Sequence, residues 1–323
     1  MQWREVLEPG QAVTVEVPAS SGNVGPGFDS LGLALGHYDT VRLEILESGL
    51  EFDLNGEGCE SVPRTEDHLL LRSVRAAWTA AGLTEQPGLR VHTRNRIPHG
   101  RGMGSSATCV VAGVVAANAL LPAAVQLTDT ELLQVCAGLE GHPDNVAPSL
   151  YGGLTISWGE PGHWHSAPVA VHPDVVPVVA IPNYEVSTAL ARSLLPAEVE
   201  HRTAAVNAGR AALLVEALTR RPELLLPATH DGLHQPFRAP AMPPSVALVA
   251  HLRAQGHAAL ISGAGPTVLT LAPSAEAAEQ AEADIMRFTA HPEPDREHVT
   301  WRVLRLVVPA RGAKVETHPK VEV

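Results

Sequence analysis

The residues best suited to chemistry lie in a glycine-rich stretch from Pro98 to Thr108, Pro-His-Gly-Arg-Gly-Met-Gly-Ser-Ser-Ala-Thr. Its three glycines alternate with larger residues, and its two serines precede a long apolar run that predicts a buried helix with Ser105 or Ser106 in its first turn. Glycines let a backbone approach a ligand closely, and a helix N-terminus favours negative charge. The stretch therefore suits a phosphate group, although an ordinary tight turn is an equal alternative on this pattern alone.

A missing lysine narrows the kind of phosphate site. A P-loop needs G-x-x-x-x-G-K-[ST], whose lysine reaches the terminal phosphates, but here Ser105 follows Gly104 and no lysine precedes Lys314. The spacing G-x-G-x-G-S-S also differs from the dinucleotide-binding pattern G-x-G-x-x-G. Walker-type sites and lysine Schiff-base chemistry in the body of the protein are therefore excluded. Any bound phosphate must be neutralised by backbone N–H groups, arginines and a metal ion.

Two other stretches concentrate polar side chains. Residues 19–29, ASSGNVGPGFD, place Asn23 and Asp29 in a loop that follows a strand, where ligand-binding groups often lie. Asn and Asp are also common turn residues. Residues 140–148, EGHPDNVAP, crowd two carboxylates, an imidazole and an amide into one short segment. Taken alone, this segment also fits a loop in which a proline ends one helix and begins another, with Asp144 as a cap.

Length and composition define the class of protein. The chain has 323 residues, of which 45% are hydrophobic and 18% charged, as expected for a globular protein of one large or two medium domains. A formal net charge of −12 argues against nucleic acid or an anionic membrane as the main partner. The cysteines, Cys59, Cys109 and Cys136, have no C-x-x-C spacing and fit a reducing cytosol. We therefore expect a cytoplasmic protein without a signal peptide, because the stretch MQWREVLEPG has no apolar segment.

Hydrophobic periodicity predicts a mixture of helices and strands that positions these motifs. Thr128 is predicted to cap a helix, with Glu131 closing a capping box. Glycine and proline cluster near the expected boundary between a first domain, residues 1–160, and a second, residues 161–323, and residues 312–323 are expected to fray. The predicted strands lie at 11–18, 38–46, 89–94, 154–158, 175–182, 258–263, 267–273 and 298–308. The predicted helices include 66–82, 128–139, 196–220, 244–255 and 275–288.

Four motifs of the chain resemble those of the GHMP small-molecule kinases and follow one another in the order expected for that family. The glycine-rich stretch is similar to their phosphate loop, P-x-x-x-G-L-G-S-S-A, with Met103 in the leucine position. PASSGNVGPGFDSLGLAL and EGHPDNVAP resemble the first and second motifs of the homoserine kinases within that family. Ser262-Gly-Ala-Gly-Pro-Thr267 resembles the third GHMP motif, which packs under the phosphate loop. The resemblance implies an α+β GHMP kinase fold with an N-terminal ribosomal S5 domain 2-like domain and a C-terminal ferredoxin-like domain.

The resemblance also implies a site for ATP and Mg²⁺. Mg²⁺ prefers oxygen ligands, and in the family a loop serine, here Ser106, holds it together with a glutamate. Some members place this glutamate where the chain has Gln134, so we expect the nearest carboxylate, Glu140, with Glu131 as the alternative. His68 stands where homoserine kinases often carry an Asn-Leu pair that contacts adenine. The expected ATP-binding residues are Pro98, His99, Gly100, Arg101, Gly102, Met103, Gly104, Ser105, Ser106, Ala107 and Thr108.

The implied reaction is phosphorylation of L-homoserine by ATP to O-phospho-L-homoserine, a step of threonine biosynthesis. Arg192 and Arg238 are expected to grip the substrate carboxylate, because guanidinium groups pair bidentately with carboxylates. Asp29 or Asp144 is expected to bind the ammonium group. Asn145 is expected to orient the hydroxyl, and the catalytic residues are then Asn145, Arg192 and Ser106. The expected substrate-binding residues are Asn23, Asp29, His142, Asp144, Asn145, Arg192, Arg238 and Gly265.

Other GHMP kinases have an aspartate base near the second motif, but an asparagine cannot take a proton. We therefore expect direct attack, with the proton passing to the γ-phosphate. Two other functions stay open: a GHMP kinase for mevalonate or a sugar, and a non-catalytic nucleotide-binding sensor of the same fold. The intact glycine-rich stretch argues against the sensor. No nucleic-acid or membrane partner is expected, and a homodimer is left open.

Overall fold

Two β-sheets form the framework of the chain in the computed structural model, which describes residues 1–290 and 298–318. The strands of the first sheet are β1 (Ala12–Gly22), β2 (Leu31–Leu46), β3 (Leu50–Gly56), β4 (Gly88–Asn95), β5 (Leu154–Glu160), β6 (His163–Val169) and β11 (Lys314–His318). The strands of the second sheet are β7 (Val176–Pro182), β8 (Ala258–Ile261), β9 (Val268–Ala272) and β10 (Trp301–Arg305).

Helices cover both sheets. Those of the first half are α1 (Leu69–Ala80), α2 (Ser105–Leu120), α3 (Asp129–Glu140) and α4 (Pro143–Tyr151). Those of the second half are α5 (Thr188–Ser193), α6 (His201–Thr219), α7 (Leu225–Ala228), α8 (Gln235–Arg238), α9 (Pro243–Ala254) and α10 (Ala275–Ala290). None of the helices in these described ranges is long and apolar enough to cross a membrane.

The first sheet places β1 between β11 and β2. Its strand order is β11-β1-β2-β4-β3, and β5 pairs with the beginning of β2. The β1–β2 pairing shifts register between Pro18 and Ala19 and then continues to Gly22 opposite Gly32. The predicted loop from Ala19 is therefore wrong for its first residues, because β2 already runs antiparallel beside them and completes their hydrogen bonds. This extension carries the chain directly to the polar residues of the first motif.

The second sheet has the order β10-β7-β9-β8, and each neighbouring pair is antiparallel. Numbered along the chain within this half, the order is 4-1-3-2, with helices between the first and second strands and between the third and fourth. This arrangement is the ferredoxin-like βαββαβ motif. The ferredoxin-like prediction is therefore confirmed for the second half.

The helix that follows the glycine-rich stretch forms the centre of the first half. Ten of the sixteen residues of α2 are buried and only Ser106 is exposed, as expected for an apolar helix in a protein core. It packs between α1 on one side and β1 on the other. Thr128 caps α3 and forms the predicted capping box with Glu131. Because α2 is packed against these elements, its N-terminus is held in a defined place.

Several predicted elements need correction. The strand expected at 298–308 is confined to β10, and the helix expected from residue 196 begins at His201. Residues 314–318 do not fray but form β11, which pairs with β1 from Ala12 to Glu16. Residues 319–323 lie outside the described ranges. The strand β3 was not predicted; it runs parallel to β4 at the edge of the sheet.

The change from one sheet to the other does not fall at the predicted boundary. Residues 160 and 161 lie at the turn of the β5–β6 hairpin, and both of its strands belong to the first sheet. The chain enters the second sheet only at β7, and β11 returns to the first. As a limit between folding units, the division into residues 1–160 and 161–323 stays a prediction.

Candidate active site

A polar cavity of about 100 Å³ lies where the glycine-rich stretch, the end of β1 and the second half of the chain meet. It is lined by residues from all four motifs, although these are far apart in the sequence. The predicted site residues that line it are Asn23, Asp29, Gly100, Gly102, Gly104, Ser105, Ser106, Glu140, His142, Asp144, Asn145, Arg192, Arg238 and Gly265.

Two glycines of the loop are required by contacts behind it. Gly102 and Gly104 have φ angles of +70° and +71°, a region that side chains rarely adopt. A Cβ atom on Gly102 would lie 2.2 Å from the carbonyl oxygen of Ser262, and one on Gly104 would lie 2.2 Å from Ser20 Oγ. These glycines therefore let the loop pack against β1 and the β8–β9 loop. The loop then delivers the chain to Ser105, where α2 begins.

The β8–β9 loop lies under the glycine-rich stretch, as the resemblance implies. The Ser262 hydroxyl donates a 2.6 Å hydrogen bond to the carbonyl oxygen of Gly102. The backbone N–H of Gly263 donates to the carbonyl oxygen of Gly22 over 3.2 Å, and that of Thr267 donates to Arg101 over 3.3 Å. This loop is thus joined to both the glycine-rich stretch and β1, and it carries Gly265 into the cavity.

Arg101, predicted to bind ATP, points elsewhere. Its guanidinium donates to the carbonyl oxygens of Pro182 and Asn183 over 2.9 Å and 3.1 Å, and it forms a 3.1 Å ion pair with Glu185. Its charge therefore ties the loop to the end of β7. Three other residues of the predicted ATP set are buried, and they line neither this cavity nor the second cavity described below: Pro98, Met103 and Ala107.

A second cavity of about 340 Å³ adjoins the first, and Gly100, Ser105 and Ser106 line both. His68 lies in its wall and caps α1, because its Nδ1 accepts the N–H of Leu70 over 3.1 Å. Burial and the nearby His99 lower the pKa of His68. The buried Thr93 hydroxyl also lines this cavity and has no hydrogen-bond partner among the described residues. The predicted ATP-binding residues His99 and Thr108 lie here as well.

Ser106 and Glu140 contact each other at the N-terminus of α2. The Ser106 hydroxyl donates a 2.8 Å hydrogen bond to Glu140 Oε2, and burial raises the pKa of this carboxyl. Gln134, the other position considered, instead bonds both the N–H and the carbonyl of Trp164. Glu131 closes the capping box of its own helix. Of the three positions, Glu140 is the one that lines the cavity.

The second motif places a buried carboxylate, Asp144, in the cavity wall. Asp144 is 1% exposed and accepts hydrogen bonds from the backbone N–H of Asn23 over 3.1 Å and from His142 Nδ1. Burial alone would lower the pKa of His142, but the bond to Asp144 and its charge outweigh burial and raise it. Asp144 does not cap α4, so the alternative of a plain loop with Asp144 as its cap is not supported. Asn145 accepts a 3.2 Å hydrogen bond from Ser20.

Asp29 and Arg192 form a bidentate ion pair in the cavity wall. The two N–O distances are 2.9 Å and 3.3 Å, and both side chains are 38% exposed. Asp29 has a φ of +53° and its N–H donates to Asn23 Oδ1 over 3.0 Å. The pair therefore joins the first motif to α5 and presents opposite charges side by side to the cavity.

Arg238 extends this charged region into the interior. It is 3% exposed, and its guanidinium donates to the carbonyl oxygens of Ala191 and Gly263 over 3.2 Å and 3.3 Å. It also lies 5.6 Å from the centre of the Phe28 ring. Burial and the nearby positive charge of Arg192 lower the pKa of Arg238. The arginine is therefore held before any ligand arrives.

The sequence analysis missed four residues of the cavity wall. Two precede or begin α5, whose cap is Ser187, and two belong to the β8–β9 loop. The sequence predicts a helix that opens at Thr188, as α5 does, but no local pattern indicates that this helix faces the glycine-rich stretch. These residues are Val186, Thr188, Gly263 and Ala264.

Family models match both halves of the chain. The model described as GHMP kinases N terminal domain matches residues 68–153, and the one described as GHMP kinases C terminal matches residues 204–289. Together the two matches cover more than half of the chain. The first includes the glycine-rich stretch and the second motif, and the second includes Arg238 and the β8–β9 loop.

Similar proteins extend over nearly the whole chain. A homoserine kinase from Streptomyces avermitilis is 53% identical over 307 residues, which are 94% of this chain and 95% of that protein. One from Leifsonia xyli subsp. xyli is 44% identical and covers 97% of this chain and 94% of its own. The crystal structure of homoserine kinase from Cytophaga hutchinsonii has a TM-score of 0.83 at 26% identity, and the match covers 94% of this chain and 97% of that one.

Proposed function

This chain belongs to the homoserine kinases of the GHMP kinase family, and we propose that the cavity between its sheets is where it phosphorylates L-homoserine with ATP. The product is O-phospho-L-homoserine, and the reaction is a step of threonine biosynthesis. Membership of the family follows from the sequence identity of the relatives and from the share of the chain that they cover. The roles of individual residues rest on the geometry of the cavity.

The observation that carries the substrate assignment is the charge pattern around Arg192. This arginine and Asp29 present a cation and an anion side by side, and the buried Arg238 adds a second cation in the same cavity. A zwitterionic α-amino acid matches this pattern, with its carboxylate at the arginines and its ammonium at Asp29 or Asp144. Mevalonate has a carboxylate but no ammonium group, and a sugar has neither. The site therefore suits homoserine better than either rival.

The triphosphate of ATP is placed along the glycine-rich stretch. The N-terminus of α2 offers backbone N–H groups and a favourable dipole to an anion. The 340 Å³ cavity beside it has the size and the mixed polar and apolar wall that an adenine base requires. His68 lies in that wall, in the place that the family resemblance gives to the adenine contact.

Ser106 and Glu140 fit a Mg²⁺ ion. Both supply oxygen ligands, they lie 2.8 Å apart, and they line the cavity beside the phosphate loop. No cluster of three or more His, Cys, Asp or Glu side chains suited to a metal occurs in the described part of the chain. This agrees with an ion that takes its other ligands from phosphates and water. When bound, the ion would neutralise the negative charge of the phosphates.

The chain's own residues act mainly by positioning, because phosphoryl transfer through a loose transition state needs alignment and charge neutralisation more than covalent chemistry. Asn145 orients the homoserine hydroxyl toward the γ-phosphorus. The hydroxyl oxygen forms the new P–O bond, and the bond to the β-phosphate oxygen breaks, releasing ADP. Since Asn145 cannot accept a proton, the hydroxyl proton passes to an oxygen of the transferred phosphoryl group.

A substrate panel tests this function directly. Release of ADP is measured with ATP, Mg²⁺ and either L-homoserine, mevalonate, galactose or no acceptor. We expect turnover with homoserine that exceeds the other reactions by at least about 100-fold, a difference of about 2.7 kcal/mol. Equal turnover with mevalonate would favour the other GHMP kinases. ATP binding without turnover on any acceptor would favour a sensor.

The metal assignment predicts a change in Mg²⁺ dependence. Ser106→Ala and Glu140→Gln each remove one oxygen ligand, so the Mg²⁺ concentration for half-maximal activity should rise about 10-fold, with a lower kcat. The measurement is a Mg²⁺ titration at saturating ATP and homoserine. Glu131→Gln is the matched control and should leave the titration unchanged, because Glu131 caps its own helix. Unchanged titrations for both site variants would show that Ser106 is only part of the helix start.

Two further properties complete the proposal. The composition of the chain and its free cysteines support a cytoplasmic location. A homodimer stays a prediction, which sedimentation velocity of the purified chain would test.

A further inference from the structure

A fully buried histidine lies directly behind the substrate cavity. His234 is 0% exposed and sits between two parts of the candidate site. Its Nε2 lies 2.8 Å from the carbonyl oxygen of Gly25, in the loop that also carries Asn23 and Asp29. Its Nδ1 lies 3.2 Å from Nη1 of Arg238. The imidazole thus connects the first motif to the buried arginine.

These two contacts permit only one form of the imidazole. A carbonyl oxygen can only accept a hydrogen bond, so Nε2 must carry a proton. A guanidinium can only donate, so Nδ1 must be a bare acceptor. The neutral ring protonated on Nε2 satisfies both contacts. A doubly protonated ring would place an N–H and a positive charge against the guanidinium of Arg238.

The surroundings hold the ring in this position. Asp231 accepts the backbone N–H groups of Leu233, His234 and Gln235 over 2.7–3.0 Å, which shapes the start of α8. Phe28 stacks on the imidazole, with ring centres 5.4 Å apart and planes 23° apart. The same Phe28 ring faces the guanidinium of Arg238. A shift of the imidazole would therefore disturb Arg238 through two contacts.

We propose that His234 is a positioning residue for the acceptor, which holds Arg238 and the loop of residues 23–29 in place while it is neutral and releases Arg238 when it is protonated. This inference rests on the proposed function, because it takes Arg238 as the group that grips the homoserine carboxylate. His234 itself does not line the cavity. Its effect on the reaction is therefore indirect and should be confined to homoserine.

The charges around His234 give the direction of the pH effect. Burial lowers its pKa most strongly; Asp231 and Asp29 raise it, and Arg238 lowers it, with the net result below the ordinary value. The ring is thus neutral in the folded chain at neutral pH and takes up a proton only below the ordinary imidazole pKa of about 6.5. Below that value the unfolded chain binds more protons than the folded chain, so this group removes stability as the pH falls. When the folded ring takes up this proton, KM for homoserine should rise.

Two substitutions separate the contacts of the ring. In His234→Asn, the amide oxygen stands near the position of Nδ1 and keeps an acceptor for Arg238. In His234→Gln, the amide group stands near Nε2 and keeps a donor for Gly25, but the acceptor for Arg238 is lost. His257→Asn is the matched control, because His257 is also largely buried with a lowered pKa but bonds Asp284 away from the cavity.

Steady-state kinetics from pH 8 down to the pH at which the wild-type chain begins to unfold, with melting temperatures of each variant, test the proposal. At pH 7.5 we expect His234→Gln to raise KM for homoserine about 10- to 100-fold, as loss of a hydrogen bond to a charged group would. His234→Asn should stay within about threefold of wild type, and KM for ATP should change less than about twofold in both. The acid limb of kcat/KM for homoserine should move in both variants and stay in place in His257→Asn.

Two results would overturn the proposal. One is a His234→Gln variant with the wild-type KM for homoserine and the wild-type acid limb. The other needs no variant: a wild-type KM for homoserine that stays constant from pH 8 down to the pH at which the chain begins to unfold. A wild-type chain that binds ATP but never phosphorylates homoserine would instead overturn the proposed function, so the two failures are distinguishable.

Discussion

Arg238→Leu is expected to lower kcat/KM for homoserine by about two to three orders of magnitude, while KM for ATP stays near the wild-type value. The arginine is 3% exposed and fixed by the carbonyl groups of Ala191 and Gly263. A carboxylate bound there is largely desolvated, and removal of its partner costs about 2–5 kcal/mol. Arg192→Leu should cost less, about one to two orders of magnitude, because Arg192 is 38% exposed and already paired with Asp29.

The controls distinguish carboxylate recognition from general damage. Arg220→Leu removes a mostly exposed arginine that pairs with Glu216 on α6, and it should leave all constants unchanged. A homoserine ester lacks the carboxylate charge, so it should lose much less than homoserine between wild type and Arg238→Leu. Homoserine phosphorylation at the wild-type rate by both Arg192→Leu and Arg238→Leu would contradict the carboxylate site and remove the main structural support for this substrate.

Gly104→Val is expected to reduce ATP affinity by at least about 100-fold, or about 2.7 kcal/mol. At a φ of +71° a side chain is strained, and the new Cβ would lie 2.2 Å from Ser20 Oγ. The added atoms point toward β1 and not toward the phosphates, so the loop must move away from β1 together with the start of α2. Isothermal titration with ATP and Mg²⁺ measures the loss.

Gly82→Val provides the matched control. Gly82 also has a positive φ, +87°, but nothing lies within 4 Å of a Cβ atom placed there. The Gly82→Val variant should lose about 1–2 kcal/mol of stability from backbone strain and bind ATP normally. If Gly104→Val is folded and binds ATP with the wild-type affinity, the glycine-rich stretch is not the phosphate loop.

Local patterns were predicted well because their causes lie within a few residues. Thr128 accepts the N–H of Glu131, and Glu131 accepts the N–H of Thr128, so the start of α3 is capped by its own residues. The long apolar run after Ser106 likewise predicted the buried helix that the structure shows. The ferredoxin-like fold of the second half was implied by the family resemblance, and the strand order of the second sheet agrees with it. The predictions failed at β11, because only pairing with β1, about 300 residues earlier in the chain, turns that segment into a strand.

The sequence by itself determined which chemistry the chain can perform. Its four motifs all have counterparts in one family, and the lack of a lysine in the loop excludes a Walker-type site. Only the tertiary structure decided how these residues meet. It placed Glu140, and not Gln134, beside Ser106; it paired Asp29 with Arg192 across 163 positions of the chain; and it put His234 behind Arg238. The physical reason is that charge pairing and burial depend on distance in space, which no local spacing rule can supply.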